Sequence, residues 1–224
     1  MPSEVLVFDM DGVLVDVTES YREAIRQTVR YFAGREIGNE AIQDLKNAGG
    51  WNNDWALAHH VIRGHGVAVD YEDVVARFQE IFFGDGQSGL ILREKWVAQA
   101  GLLERLGQRF RLAIFTGRTR EEAGITLNRF AADVNFDPVI AEEDVVLGKP
   151  APDGLRKIAV LTGLTQIWYV GDTVDDARSA KAAGARFIGI ASESSPRRAE
   201  LQALFAAENA FAVLNDINEL EGVL

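Results

Sequence analysis

An aspartate at the end of a core strand needs a chemical reason to be there. The stretch Glu4-Val5-Leu6-Val7-Phe8-Asp9-Met10-Asp11-Gly12 opens with a short apolar run and delivers two carboxylates, one residue apart, to a glycine turn. A carboxylate buried without partners is costly. The pair therefore reads either as an aspartate-rich turn or as part of a site completed elsewhere. The metal-binding alternative, a calcium loop, fails on spacing: counting from Asp9, Leu14 stands where glycine is required and Ser20 where glutamate is. Three later stretches offer complementary chemistry. Thr116-Gly117-Arg118 combines a hydroxyl with a glycine N–H able to approach a phosphate closely. Gly148-Lys149-Pro150 carries a lone cation, with proline setting the entry to a helix. Gly171-Asp172-Thr173-Val174-Asp175-Asp176 puts acids at a strand end and in a first helical turn, where the helix dipole tolerates them. Taken singly, these are a turn, a surface charge and a helix cap.

The elements that must position these groups are legible from periodicity. Thr18 to Phe32 carries Tyr21, Ile25, Val29 and Phe32 at helical spacing, with Ser20 and Glu23 spaced as a capping box and Gly34 as a stop. Asn39, then Asn52 or Asn53, then Asp70 can cap three more helices, ending near Ala48, Gly64 and Gly84. Nothing between Thr18 and Gly84 reads as a strand, and the glycine-rich Gly84-Asp85-Gly86-Gln87-Ser88-Gly89 closes this section as a hinge. Beyond it the pattern alternates. Helices are expected over Trp96 to Leu106, Arg120 to Ala131, Pro152 to Leu161, after Asp172 to Ala183, and Arg197 to Ala206. Strands are expected at Arg111–Phe115, Pro138–Ile140, Ile167–Val170, Phe187–Ile190 and Ala212–Leu214, before a terminal helical turn. That alternation predicts an α/β fold with a doubly wound parallel sheet. The expected division is an α/β core over 1–16 and 90–224 and an inserted α-helical cap over 17–89. In an open α/β sheet the site lies beyond the carboxyl ends of the strands, where Asp9, Thr116 and Asp172 all fall.

Composition narrows the partners. The 224 residues are 47% hydrophobic with a formal net charge of −11, which disfavours nucleic acid and anionic membrane and requires a local positive group for any anionic substrate. With no cysteine there is no disulfide framework, zinc-thiolate site or thiol nucleophile. No signal-peptide pattern or membrane span is read, so cytoplasmic residence is the expectation. Oligomeric state is not legible.

Taken together, the motifs Asp9-x-Asp11-Gly-Val, Thr116, Lys149-Pro150 and Gly-Asp172-x-x-x-Asp176 resemble, in that order, those of the haloacid dehalogenase superfamily of aspartate-nucleophile phosphotransferases. The insert is similar to the helical cap of its first cap class, close to phosphoglycolate-phosphatase-like and β-phosphoglucomutase-like members. The resemblance implies that Asp9 is the nucleophile and Asp11 the proton donor and acceptor. It also implies Mg²⁺ held by Asp9, Asp172 and the Asp11 carbonyl, with phosphoryl oxygens bound by Thr116, Gly117 and Lys149. Asp175 and Asp176 are implied to act from behind the site, on Lys149 or on water at the metal. Arg118 is expected to cap the following helix, and Asp16 to order the hinge. One departure is Val17, where relatives commonly carry a small hydroxyl residue. An acid at Asp11 disfavours carbon–halogen hydrolysis.

The reading is a Mg²⁺-dependent phosphatase of a small phosphorylated metabolite. A sugar-phosphate phosphomutase and a non-catalytic phosphate-binding or interaction protein are the alternatives. Within the cap, Lys46, Asn47, Trp51 and Asn52 are the expected substrate-reading residues, against a packing role for Trp51 and Trp55 and a capping role for Asn52 and Asn53. His59 and His60 are adjacent and point to different sides of a helix, which argues against a metal site there.

Overall fold

The structure is a computed structural model that describes residues 2–85 and 88–224. Met1 of the expected core and Gly86 and Gln87 of the expected hinge lie outside the described residues. Two compact units are present, Met1–Val15 with Trp96–Leu224, and Asp16–Lys95.

The first unit is built on a six-stranded sheet of order β5-β4-β1-β6-β7-β8. The strands are β1 (Val5–Phe8), β4 (Arg111–Phe115), β5 (Val139–Ile140), β6 (Ile167–Gly171), β7 (Arg186–Ile190) and β8 (Ala212–Leu214). Every pairing is parallel, with Phe8 beside Ile114 on one side and beside Val170 on the other. From β1 the chain builds outward to β4 and β5, then returns to the far side for β6, β7 and β8. With right-handed crossovers, that reversal puts helices on both faces and a crevice beyond the carboxyl end of β1. The helices are α5 (Leu102–Arg109), α6 (Arg120–Phe130), α7 (Asp153–Thr162), α8 (Val174–Ala183) and α9 (Arg198–Ala207). Double coverage explains why all four β1 residues are apolar and fully buried. One core cluster joins Val5, Val7, Phe115, Tyr169, Phe187 and Phe205, with the Phe187 and Phe205 rings edge-on at 5.3 Å.

The second unit holds α1 (Tyr21–Ala33), α2 (Asn39–Ala48), α3 (Asp54–Gly64) and α4 (Tyr71–Phe83), packed around Tyr21, Ile25, Val29, Leu57, Phe78 and Phe82. Leu90 and Ile91, in a 3₁₀ turn at Leu90–Arg93, belong to this core, which is why the insert runs on to Lys95. Two short strands, β2 (Val15–Asp16) and β3 (Lys95–Trp96), pair where the chain leaves and re-enters the sheet unit. Among the described residues no helix is long and apolar enough to cross a membrane.

Several local expectations are corrected. No capping box forms at Ser20, because the Glu23 carboxylate accepts hydrogen bonds from Arg26 and Gln27 instead. Gly38, not Asn39, occupies the cap position of α2, whereas Asn53 does cap α3 by accepting from the Ala56 N–H at 2.9 Å. The helix expected from Trp96 begins only at Leu102: Trp96 lies in β3, its ring stacked on Phe130 at 5.8 Å, and Gly101 takes a left-handed conformation just before the helix.

Truncation of Phe205 to Ala would open a cavity among Phe187, Leu201 and the sheet. It is expected to cost about 3–5 kcal/mol, read as a lower denaturant midpoint with an unchanged slope.

Candidate active site

Four loops at the carboxyl end of the sheet converge, all within the first unit. After β1, the Asp9 N–H donates to the Val170 carbonyl at 2.8 Å and the Met10 N–H donates to Asp9 Oδ1 at 2.7 Å, fixing the carboxylate. The chain then turns tightly: the N–H groups of Leu14 and Val15 both donate to the Met10 carbonyl at 2.9 Å. Gly12 sits at φ +71°, and a Cβ there would lie 1.9 Å from Asp172 Oδ2. Only glycine lets the β1 loop approach Asp172 this closely. Gly171 plays the same part for α8, since a Cβ on it would meet the Asp176 Cβ at 2.4 Å.

At the centre is a buried ion triad. The Lys149 ammonium stands 2.9 Å from Asp9 Oδ1 and 2.8 Å from Asp176 Oδ1, with all three side chains nearly inaccessible to solvent. Asp176 is saturated. Its Oδ1 accepts from Lys149 and from the Tyr169 hydroxyl at 2.7 Å, and its Oδ2 accepts from the Thr173 N–H at 3.0 Å and hydroxyl at 2.6 Å. Thr173 and Asp176 also form the capping box of α8, so Thr173 rather than Asp172 caps that helix. The carboxylate that starts α8 is thus the one that anchors the lysine.

The electrostatics follow from this crowding. Burial pushes the Asp9 carboxyl well above its ordinary value; Lys149 opposes the rise, while Asp176, Asp11 and Asp172 add to it. Burial works against the Lys149 charge, but Asp176 and Asp9 outweigh it and hold the ammonium above its usual range. Burial likewise opposes the Asp176 charge, yet Lys149 and the bonds from Thr173 and Tyr169 keep it below. Burial and the adjacent Asp176 keep the Tyr169 phenol protonated.

Asp9, Asp172 and Asp176 bring carboxylate oxygens within 4.8 Å of one another. An all-oxygen donor set of this kind suits a hard divalent cation. Because Asp176 already accepts four hydrogen bonds, the capacity to ligate rests with Asp9, Asp172 and nearby backbone oxygen. Asp175 is buried and lies 3.8 Å from Arg178 on its own helix.

Thr116 is buried at the end of β4, and its hydroxyl accepts from the Arg118 N–H at 3.2 Å. Gly117 is partly exposed beside it. Arg118 does not cap α6; Thr119 does, in a capping box with Glu122. The Arg118 guanidinium instead reaches Asp11 Oδ1, through Nε at 2.9 Å and Nη2 at 2.5 Å. Sequence reasoning missed this contact and the Tyr169–Asp176 bond. Both depend on which strands are neighbours. A tyrosine hydroxyl inside an otherwise buried, apolar strand was the available signal for the second.

The remaining expected residues belong to the helical unit. Lys46 pairs with Asp54 at 2.7 Å. Asn47 is buried and its Oδ1 accepts from Gln43 at 2.9 Å. The Trp51 ring lies against that of His60, tilted by 37° with centroids 4.4 Å apart, and packs on the helical core, and Asn52 is partly exposed in the loop.

The family model for haloacid dehalogenase-like hydrolases matches residues 4–184. A protein named imidazoleglycerol-phosphate dehydratase from Phytophthora nicotianae is 35% identical over 198 residues, which is 84% of this chain but only 43% of that protein. A phosphoglycolate phosphatase from Pseudomonas putida is 24% identical over 191 residues, covering 83% of this chain and 68% of the relative. Among solved structures, a haloacid dehalogenase-like protein of unknown function from Agrobacterium tumefaciens shares the fold with a TM-score of 0.74 at 20% identity, over 100% of this chain and 97% of the other.

The raised Asp9 pKa carries a stability prediction. As pH rises from the unfolded value, about 4, toward the higher folded value, ionising Asp9 weakens the native state. With chelator present, Asp9→Asn is therefore expected to unfold at a higher temperature than the parent near neutral pH. The gain should shrink on acidification and vanish below about pH 4. Thermal unfolding at stepped pH measures it; equal stability throughout would mean that Lys149 fully compensates the Asp9 charge.

Proposed function

The chain belongs to the haloacid dehalogenase-like hydrolases, and from that membership we propose that it is a phosphatase of small organic phosphate monoesters working through an aspartyl-phosphate. The observation that carries this reading is the Asp9–Lys149–Asp176 triad. It fixes a carboxylate at a strand end with a permanent cation beside it, in a chain that is otherwise strongly acidic.

In the proposed reaction an Asp9 carboxylate oxygen attacks phosphorus as the ester P–O bond breaks, and a proton on Asp11 passes to the departing alkoxide oxygen. Water then attacks the phosphorus of the aspartyl-phosphate and gives a proton to Asp11. Phosphate leaves and the Asp9 carboxylate is restored. The chemistry asks mainly for alignment and charge neutralisation. Lys149 supplies positive charge, while the Thr116 hydroxyl and Gly117 N–H bind phosphoryl oxygens. Asp176 keeps Lys149 charged and oriented, and Asp175 supports the start of α8. Mg²⁺, held by Asp9, Asp172 and the Asp11 carbonyl, would supply the further charge neutralisation that lets an anionic nucleophile meet an anionic ester.

Substrate choice is assigned to the helical insert, with Lys46, Asn47, Trp51 and Asn52 as the reading positions. Phosphoglycolate heads the compounds to test because the Pseudomonas putida relative carries that name.

Phosphate release from a panel of phosphorylated metabolites, with and without Mg²⁺, tests the proposal. Mg²⁺-dependent release is expected from at least one compound, falling about a thousandfold or more in Asp9→Asn. Activity surviving that substitution removes the covalent mechanism. A requirement for a sugar bisphosphate without net phosphate release marks a phosphomutase, and inactivity toward every compound favours a phosphate-binding protein. Trp51→Ala should change the ranking of substrates; a uniform fall with a lower melting temperature would assign Trp51 to packing.

A further inference from the structure

We propose that Arg118 is a positioning residue that fixes the carboxylate of Asp11 for proton transfer. The inference rests on the reading of Asp11 as the proton donor and acceptor.

The Arg118 side chain is turned inward onto Asp11. It is only 1% exposed, while that of Asp11 is 30% exposed. Such a buried guanidinium turns inward rather than toward solvent or a ligand. The guanidinium is held from behind by Thr126, whose hydroxyl accepts from Nη1 at 2.7 Å, and the backbone that carries it is tied at both ends: the Arg118 N–H donates to Thr116 Oγ1 at 3.2 Å, and the Arg118 carbonyl accepts from the Glu142 N–H at 2.9 Å. A planar fork anchored in this way presents Nε and Nη2 in a fixed direction. Both end on one oxygen, Asp11 Oδ1.

The consequence is directional. The two guanidinium N–H bonds occupy Oδ1, which leaves Oδ2 as the oxygen that can face the leaving group and then the attacking water. Arg118 thereby selects the working oxygen and prevents the side chain, which has freedom in a tight glycine turn, from rotating. The sheet makes this possible. β1 and β4 are neighbours with Phe8 beside Ile114, so the residue three places beyond Phe8 and the residue four places beyond Ile114 can meet. The loop that offers Thr116 and Gly117 to phosphate therefore also holds the acid that serves the leaving group. Correct placement of a catalytic group is worth about a hundredfold when lost.

The discriminating measurement is kcat/KM for an alkyl phosphate against p-nitrophenyl phosphate. It reports events up to cleavage of the ester bond, and only the alkoxide needs a proton to leave. Arg118→Met is expected to lower kcat/KM for the alkyl ester about a hundredfold while changing that for the aryl ester less than about threefold. It should also produce a burst of p-nitrophenolate, because the following attack by water still needs Asp11 as base. Arg118→Lys, which keeps charge without the fork, should fall between, and Thr126→Val, which releases one anchor, should shift the alkyl-to-aryl ratio in the same direction. Asp11→Asn is the reference. If it discriminates between the esters and neither Arg118→Met nor Thr126→Val does, the positioning role is overturned. An equal loss on both esters in Arg118→Met overturns it too, in favour of a structural or substrate-binding role. If Asp11→Asn itself fails to discriminate, the reading of Asp11 falls and this inference with it.

Discussion

The site depends on one lysine whose side chain is almost wholly withdrawn from water. Lys149 is placed between Asp9 and Asp176 at hydrogen-bond distance from both, and neither carboxylate would be tolerated there in ionised form without it. Desolvating three charges is expensive, and a buried ion pair is seldom retained because it stabilises a fold. Here each arm of the triad is tied to a different piece of the sheet unit: Asp9 to the end of β1, Lys149 to the loop before α7, Asp176 to the first turn of α8. The electrostatic requirement and the convergence of the loops are the same constraint. If one loop moves, the charge balance of the other two is lost.

Asp176 is what makes the arrangement rigid. It caps its own helix through Thr173, accepts the Tyr169 hydroxyl from within β6 and fixes the lysine. Four hydrogen bonds exhaust its acceptor capacity, so it serves the site by holding a neighbour. Asp9 is in the opposite condition. It is buried and faces further acids, and although Lys149 opposes the rise its carboxyl is driven above its ordinary value. A group left unfavourably solvated in this way is the one with most to gain from a cation or an electrophile, which is the usual relation between local instability and function.

The two glycines that admit these contacts show how backbone and chemistry are coupled. Gly12 and Gly171 have no side chain because the space is taken by Asp172 and Asp176 themselves. The acids of the β6 loop can therefore come within reach of the β1 loop without any adjustment of the sheet. Arg118 extends the coupling to the opposite neighbour of β1, so that strands β4, β1 and β6 each contribute a loop pinned to the next.

Much of this was legible in the chain itself, because it follows from local rules. Apolar runs of strand length ending in Asp9, Thr116 and Asp172, separated by helical periodicity, specify an alternating α/β order and place the reactive residues at one end of the sheet. Asn53 and Gly34 mark helix ends through side-chain and left-handed geometry that are properties of the residues alone. What the chain could not disclose is pairwise. Ser20 has the right spacing for a capping box, but Glu23 is taken by Arg26 and Gln27. Trp96 has helical surroundings, but the insert carries it into a strand against Phe130. Arg118 and Asp11 lie 107 residues apart, and Tyr169 meets Asp176 only because α8 folds back across β6. Types and spacings determine which groups arrive at the end of the sheet. Strand order and the space left by missing side chains decide which of them touch, since a hydrogen bond or ion pair depends on distances that no local propensity sets.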